Sequence, residues 1–218
     1  MQALVWSDYI CPWAYLGRDR TAFLRSLGLD VVAMPYELHP EIPPEGRAHR
    51  PDGRLAQVYA GIADECAAVG LPFRAPTRTP NSRRALSTAE VVRRHEPDRF
   101  LAIDDALFRA HFVEGRDVGA REVLDEIVTS VGLSADDVRA AVDDGEGEAA
   151  VTASMVRAHA NGVAATPAWL FGQDGEGLVL PGVQPRELYE RIVTRLRARQ
   201  GETLTGLGTV TGTKPSTG

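Results

Sequence analysis

Strand-forming sequence is confined to the two ends of this chain, with a long run of helical patterning between them. Gln2 to Ser7 reads as a short buried strand, and Trp13 to Leu27 as a helix with Leu16, Phe23, Leu24 and Leu27 on one face, stopped by Gly28. Val31 to Leu38 is a nearly continuous apolar run that suits a parallel strand. Pro35 inside it argues for a sheet edge, where a missing N–H is tolerated. Strand, helix and strand at this spacing make a βαβ unit. β character returns only at Ala168 to Phe171 and Leu178 to Leu180, a hairpin around the turn region Gly172 to Gly177. A last helix starts at Pro185, with Leu188, Tyr189, Ile192, Val193 and Leu196 at helical spacing.

Between these ends, Pro40 to Pro51 is rich in Pro, Gly, Glu and Arg and reads as a loop. Helices follow at Arg54 to Val69, Arg83 to His95, from Pro97 through Phe108, at Val118 to Val131, from Ser134, and at Glu148 to His159. Asn81 or Ser82 can cap the second of these. The plan is therefore α/β: βαβ, an all-helical insertion, then ββα. Residues 1–40 and 160–200 form the β-containing domain, 41–159 the helical insertion, and 201–218, Gly-, Thr- and Ser-rich, a disordered tail.

At 218 residues, 44% hydrophobic and 25% charged, the chain can bury one sizeable core. A formal charge of -6, with arginines scattered among acids, excludes a basic nucleic-acid footprint. The first residues carry no positive region, and Asp8 and Pro12 break the apolar run before it could form a membrane span. Two cysteines, Cys11 and Cys66, make no disulfide framework, so a cytoplasmic location is expected. No zinc-like spacing or phosphate loop is present.

Cys11 stands at a strand-to-helix junction directly before Pro12. Unpaired N–H groups and the helix dipole at a helix start favour a thiolate, so this placement suits a lowered thiol pKa. The same position suits a small buried hydrophobe. Trp13 can offer an apolar wall to a substrate, Asp8 is a candidate for proton transfer or an opponent of the thiolate, and His39 is the histidine best placed to approach the site. Cys66 falls on the apolar stripe of its helix and reads as core.

Cys11-Pro12-Trp13, "YELHPEIPPEG" (36–46), "PNSRRAL" (80–86), "LFRAHFVEGRDVGAREVL" (107–124), "GVAATPAWLF" (162–171) and "PGVQPREL" (181–188) together resemble the DsbA-like thioredoxin-fold oxidoreductases of bacteria. The similarity is greatest to the cytoplasmic branch found near polyketide biosynthesis genes. It implies a thioredoxin-like fold with a helical insertion, Cys11 as nucleophile, and Thr166-Pro167 as the cis-proline loop facing it, with Thr166 offering its backbone to substrate. Pro12, Trp13, Ala14, His39, Asn81 and Ser82 would border the substrate.

Ala14 stands where this family carries its second cysteine. The expected activity is therefore exchange through a single sulfur, with glutathione or another small thiol as co-substrate, no permanently bound cofactor and no metal. The partners expected are small thiols or disulfide-containing substrates, without nucleic acid or membrane; a homodimer is compatible with the sequence. The alternatives are a glutathione-dependent isomerase or transferase of the 2-hydroxychromene-2-carboxylate isomerase type, a non-catalytic binding protein, or an engineered Cys-to-Ala trapping variant. The isomerase relatives carry serine at the position of Cys11, and tend to carry an Asp-Arg pair where this chain has Gly182-Val183-Gln184-Pro185.

Overall fold

A computed structural model describes residues 1–50 and 53–206, with side chains through residue 199. Four strands form the main sheet in the order β2-β1-β5-β6: β1 (Gln2–Ser7), β2 (Asp30–Pro35), β5 (Ala168–Phe171) and β6 (Leu178–Pro181). β1 pairs in parallel with β2 and antiparallel with β5, which pairs antiparallel with β6. Ala3 to Trp6 in β1 and all four residues of β5 are buried, which is why both read as continuous apolar runs rather than as alternating ones. The pairing of Trp6 with Ala168 brings the end of β1 beside the start of β5.

Helix α1 (Pro12–Ser26) leaves β1 through a tight turn and lies close to the sheet. Gly17 permits that approach: a Cβ there would meet Trp169 at 3.1 Å and Pro167 at 3.2 Å. The expected edge position of β2 holds, and its outward carbonyls are all occupied. Arg25 donates to Val31 O (3.0 Å), Arg93 to Ala33 O (2.6 Å) and Ser154 to Pro35 O (2.7 Å). An edge so covered offers few acceptors to a foreign strand. Arg93 is itself fixed by Glu90 and by the Phe100 ring, 3.6 Å below its guanidinium.

Arg93 and Ser154 belong to the helical segment, which comprises α2 (Arg54–Ala68), α3 (Arg83–His95), α4 (Phe100–Phe112), α5 (Arg121–Ser130), α6 (Ala135–Asp143) and α7 (Glu146–Ala160). Met1–Val183 forms one compact unit, and Gln184–Gly218 clusters separately. Helix α8 (Arg186–Gly206) in the latter buries Tyr189, Ile192 and Val193. The core of the larger unit runs without a break from Tyr9, Ile10, Cys11 and Tyr15 to Ile62, Cys66, Leu86, Ile103, Leu107 and Leu124.

The structure departs from the sequence reading in four places. Arg47–Ala48 (β3) pairs with Arg78–Thr79 (β4) inside what read as a plain loop; a two-residue ladder leaves no periodic signal. Pro97–Arg99 is a 3-10 turn ahead of α4. Val118 is buried before α5 begins, because Gly119 N–H turns back to the Asp117 carboxylate at 2.9 Å. Helix α8 continues through 201–206, where a disordered tail was expected, and the remainder of that tail, 207–218, lies outside the described residues. Among the described residues no helix is long and apolar enough to cross a membrane.

Two glycines test this packing with opposite signs. A Cβ on Gly147, in α7, would fall inside the backbone of Ser87 in α3, so Gly147→Ala should cost about 1–3 kcal/mol by forced separation of the helices. A Cβ on Gly61, exposed in α2, meets nothing within 4 Å, so Gly61→Ala should gain up to about 1 kcal/mol. Urea midpoints moving in the same direction for both would contradict the assignment.

Candidate active site

The turn from β1 into α1 is built from the backbone. Cys11 N–H donates to Asp8 O at 3.0 Å, and Tyr15 N–H closes the first helical bond on Cys11 O at 3.0 Å. Pro12 occupies the first turn of the helix, where its missing N–H has no partner to lose. Cys11 is therefore the N-cap residue of α1. Its Sγ donates to the carbonyl of Thr166 at 3.3 Å, and the Thr166-Pro167 peptide is cis. Pro167 O in turn accepts from Gly182 N–H at 2.8 Å, tying this loop to β6. Cys11, Thr166 and Pro167 thus meet, as the resemblance implied. Trp13 is 38% exposed beside them, whereas Ala14 is buried.

The electrostatics do not follow the sequence expectation. Cys11 is 3% exposed, and burial pushes its thiol up to about 11. The helix-start N–H groups of Ala14 and Trp13 favour the thiolate, while the Asp8 carboxylate opposes it. The expected lowering is absent because the sulfur lies beneath the surface, where loss of water outweighs these hydrogen bonds. A protonated sulfur is also what the bond to Thr166 O requires, since a carbonyl accepts only from S–H.

Asp8 organises the surroundings. It is fully buried; one oxygen accepts from Ile10 N–H (3.3 Å), the other from Leu38 N–H (2.7 Å) and from the Ser82 hydroxyl (3.0 Å). Burial outweighs these bonds and raises its carboxyl to about 6, with Glu37 adding repulsion. Glu37 is balanced by an ion pair with Arg83. Asn81 completes the junction, donating to Ile42 O at 2.6 Å and accepting from Arg83 N–H at 3.0 Å. Asn81 therefore caps α3, but the Ser82 hydroxyl is spent on Asp8 and caps nothing. Both residues hold the 36–42 loop, and neither has a hydrogen bond to Cys11.

That loop carries His39 into a cavity of about 440 Å³ beside the cysteine turn, lined by Ile10, Pro12, Leu38, Ile42, Tyr59 and Thr79 among others. His39 itself is half-exposed and bonded to Glu41 at 3.1 Å. Sequence reasoning missed Tyr59, whose hydroxyl is pushed up to about 12 by burial and by the neighbouring Cys11. A tyrosine on an apolar helix stripe gives no local sign of such a neighbour. A second cavity, about 260 Å³, touches Ala14, Gly17, Phe108 and Pro167. Among the described residues no cluster of three or more His, Cys, Asp or Glu could hold a metal ion.

Residues 3–193 match the model of the DSBA-like thioredoxin domain. The chain belongs to this family. The DsbA-like fold is also found in its structural neighbours. A probable DsbA oxidoreductase from Streptomyces coelicolor is 26% identical, with a TM-score of 0.76 over 99% of this chain and 94% of that one. The cytosolic disulfide reductase DsbM from Pseudomonas aeruginosa is 22% identical, TM-score 0.66, over 91% and 100% of the two chains, and has also been solved with GSH. A 2-hydroxychromene-2-carboxylate isomerase is 18% identical, TM-score 0.75, over 94% and 99%. Proteins named as an oxidoreductase, a disulfide reductase and an isomerase thus share this fold.

The raised carboxyl of Asp8 gives a linkage prediction. The folded chain holds this proton more tightly than the unfolded one, so the associated stability is present below the ordinary value of 3.8 and is lost as pH climbs to about 6. Compared with Asp8→Asn, the wild-type protein should lose about 2 kcal/mol of stability between pH 4 and roughly 6.5, in urea titrations at each pH. A difference that is flat or grows in the wild type's favour would contradict the placement of Asp8.

Proposed function

We propose that this protein is a thiol-disulfide exchange enzyme acting through Cys11 alone. The observation that carries the reading is the Cys11 Sγ set 3.3 Å from Thr166 O, at the turn before Pro167, with Ala14 at the position of a resolving cysteine. Cys11, resting as a neutral thiol, gives its proton to solvent. The thiolate attacks one sulfur of a disulfide; the Cys11 S–S bond forms, the substrate S–S bond breaks, and the departing sulfur leaves as thiolate and takes up a proton. A second thiol, attacking as thiolate, then displaces the bound half and returns Cys11. One disulfide enters and one leaves, so no external oxidant or reductant is consumed.

Cys66 is a poor candidate for the second thiol: it is fully buried in α2, and burial pushes its sulfur up to about 11. A small thiol from solution fills the role, and the solved DsbM complex with GSH supports glutathione as one such molecule. The same neighbour, named as cytosolic, supports a cytoplasmic setting. Retention of cysteine rather than serine at position 11 favours exchange over the isomerase chemistry.

Intact mass spectrometry after incubation with oxidised glutathione at alkaline pH tests this. One glutathionyl adduct should form, on Cys11, and persist until a free thiol is added; Cys11→Ser should acquire none, and Ala14→Cys should clear it internally as a disulfide between positions 11 and 14. An adduct that survives in Cys11→Ser, or that clears without added thiol in the wild type, would overturn the single-sulfur cycle.

A further inference from the structure

Most arginines of the described chain are engaged: Arg18 with Asp105, Arg84 and Arg121 with Asp143, Arg116 with Glu126, Arg139 with Asp125, Arg157 with Asp174. Three that are not engaged lie together. Arg47, Arg50 and Arg54 line the 440 Å³ cavity beside the Cys11 turn, and none of them forms an ion pair or a side-chain hydrogen bond with the described residues. Arg47 comes near enough to Glu41 to help hold its carboxyl below the usual range, but that carboxylate is already bonded by His39. His49 in the same wall has both ring nitrogens occupied, by Pro76 O at 2.9 Å and the Thr79 hydroxyl at 2.6 Å, so it fixes the wall rather than reaching into the space. Ile10, Pro12, Leu38, Ile42 and Leu55 supply an apolar lining.

An acidic chain that gathers around one apolar recess three guanidinium groups without an ion pair among the described residues has built an electropositive spot against its own net charge of -6. Guanidinium groups bind carboxylates in a two-pronged geometry, and a recess bordered by low-dielectric walls concentrates their field. The cavity is of a size that holds a small molecule, since such sites typically span about 300–1,000 Å³.

We propose that this recess is an anion pocket, in which Arg47, Arg50 and Arg54 select small thiols and disulfides carrying carboxylate groups for reaction at Cys11. The proposal rests on the exchange reading above and names its substrate class. The apolar residues seat the carbon skeleton, the arginines hold the carboxylates, and Pro12 at the edge of the recess leads to the sulfur.

The test compares second-order rate constants of Cys11 with three probe disulfides, using Cys11→Ser as the blank: dithiobis(nitrobenzoate), which carries two carboxylates, neutral dithiodipyridine, and cationic cystamine. The dicarboxylate should outpace cystamine. Replacing all three arginines (Arg47→Gln, Arg50→Gln, Arg54→Gln) should lower its rate about tenfold, as should high salt, while the dithiodipyridine rate stays within about twofold. That neutral probe also reports that the variant is folded and its thiol intact. A dicarboxylate rate unaffected by the triple substitution would overturn the pocket alone. Failure of Cys11 to react with any probe would overturn the exchange reading and the pocket with it.

Discussion

Everything near the thiol hangs from one buried carboxylate. Asp8 accepts hydrogen bonds from Ile10, Leu38 and Ser82, three residues from three parts of the chain, and so pins the cysteine turn, the loop after β2 and the start of α3 to one point. Burying a carboxylate costs several kcal/mol unless its lone pairs are met, and here they are met mainly by backbone N–H groups whose positions are thereby fixed. Glu37 beside it adds repulsion and is itself balanced by an ion pair with Arg83. The helical segment is thus joined to the β-containing ends at the site, as it is at the β2 edge through Arg93 and Ser154.

The same arrangement decides the state of the sulfur. A helix N-terminus offers Cys11 two N–H groups and a favourable dipole, worth about 1 kcal/mol or somewhat more in partly buried geometry. Burial and the negative Asp8 oppose this and prevail. The resting thiol is neutral and bonded to Thr166 O, and a neutral thiol is a far weaker nucleophile than a thiolate.

The sequence already carries much of this. Pro35 marks the edge strand, the apolar run 168–171 marks a strand buried on both faces, and Cys11-Pro12 marks a helix start with sulfur at its head. What could not be read depends on distant partners. Ser82 has the local form of a helix cap, yet its hydroxyl serves a carboxylate 74 positions away. The thiol was expected low because the helix terminus is visible in sequence and the burial is not. Arg47 and Arg50 read as charges of a loop and Arg54 as the start of a helix; the β3–β4 pairing and α2 set them around a common space. Dipole and turn chemistry are local and legible; desolvation and convergence belong to the fold.

The neutral resting thiol is the central claim, and the most direct measurement is a pH titration of thiolate absorbance in the far ultraviolet, with Cys11→Ser subtracted. A midpoint near 11 is expected for Cys11. A midpoint below the free-thiol value of about 8.5 would contradict it, and would mean that the helix terminus, not burial, governs this sulfur.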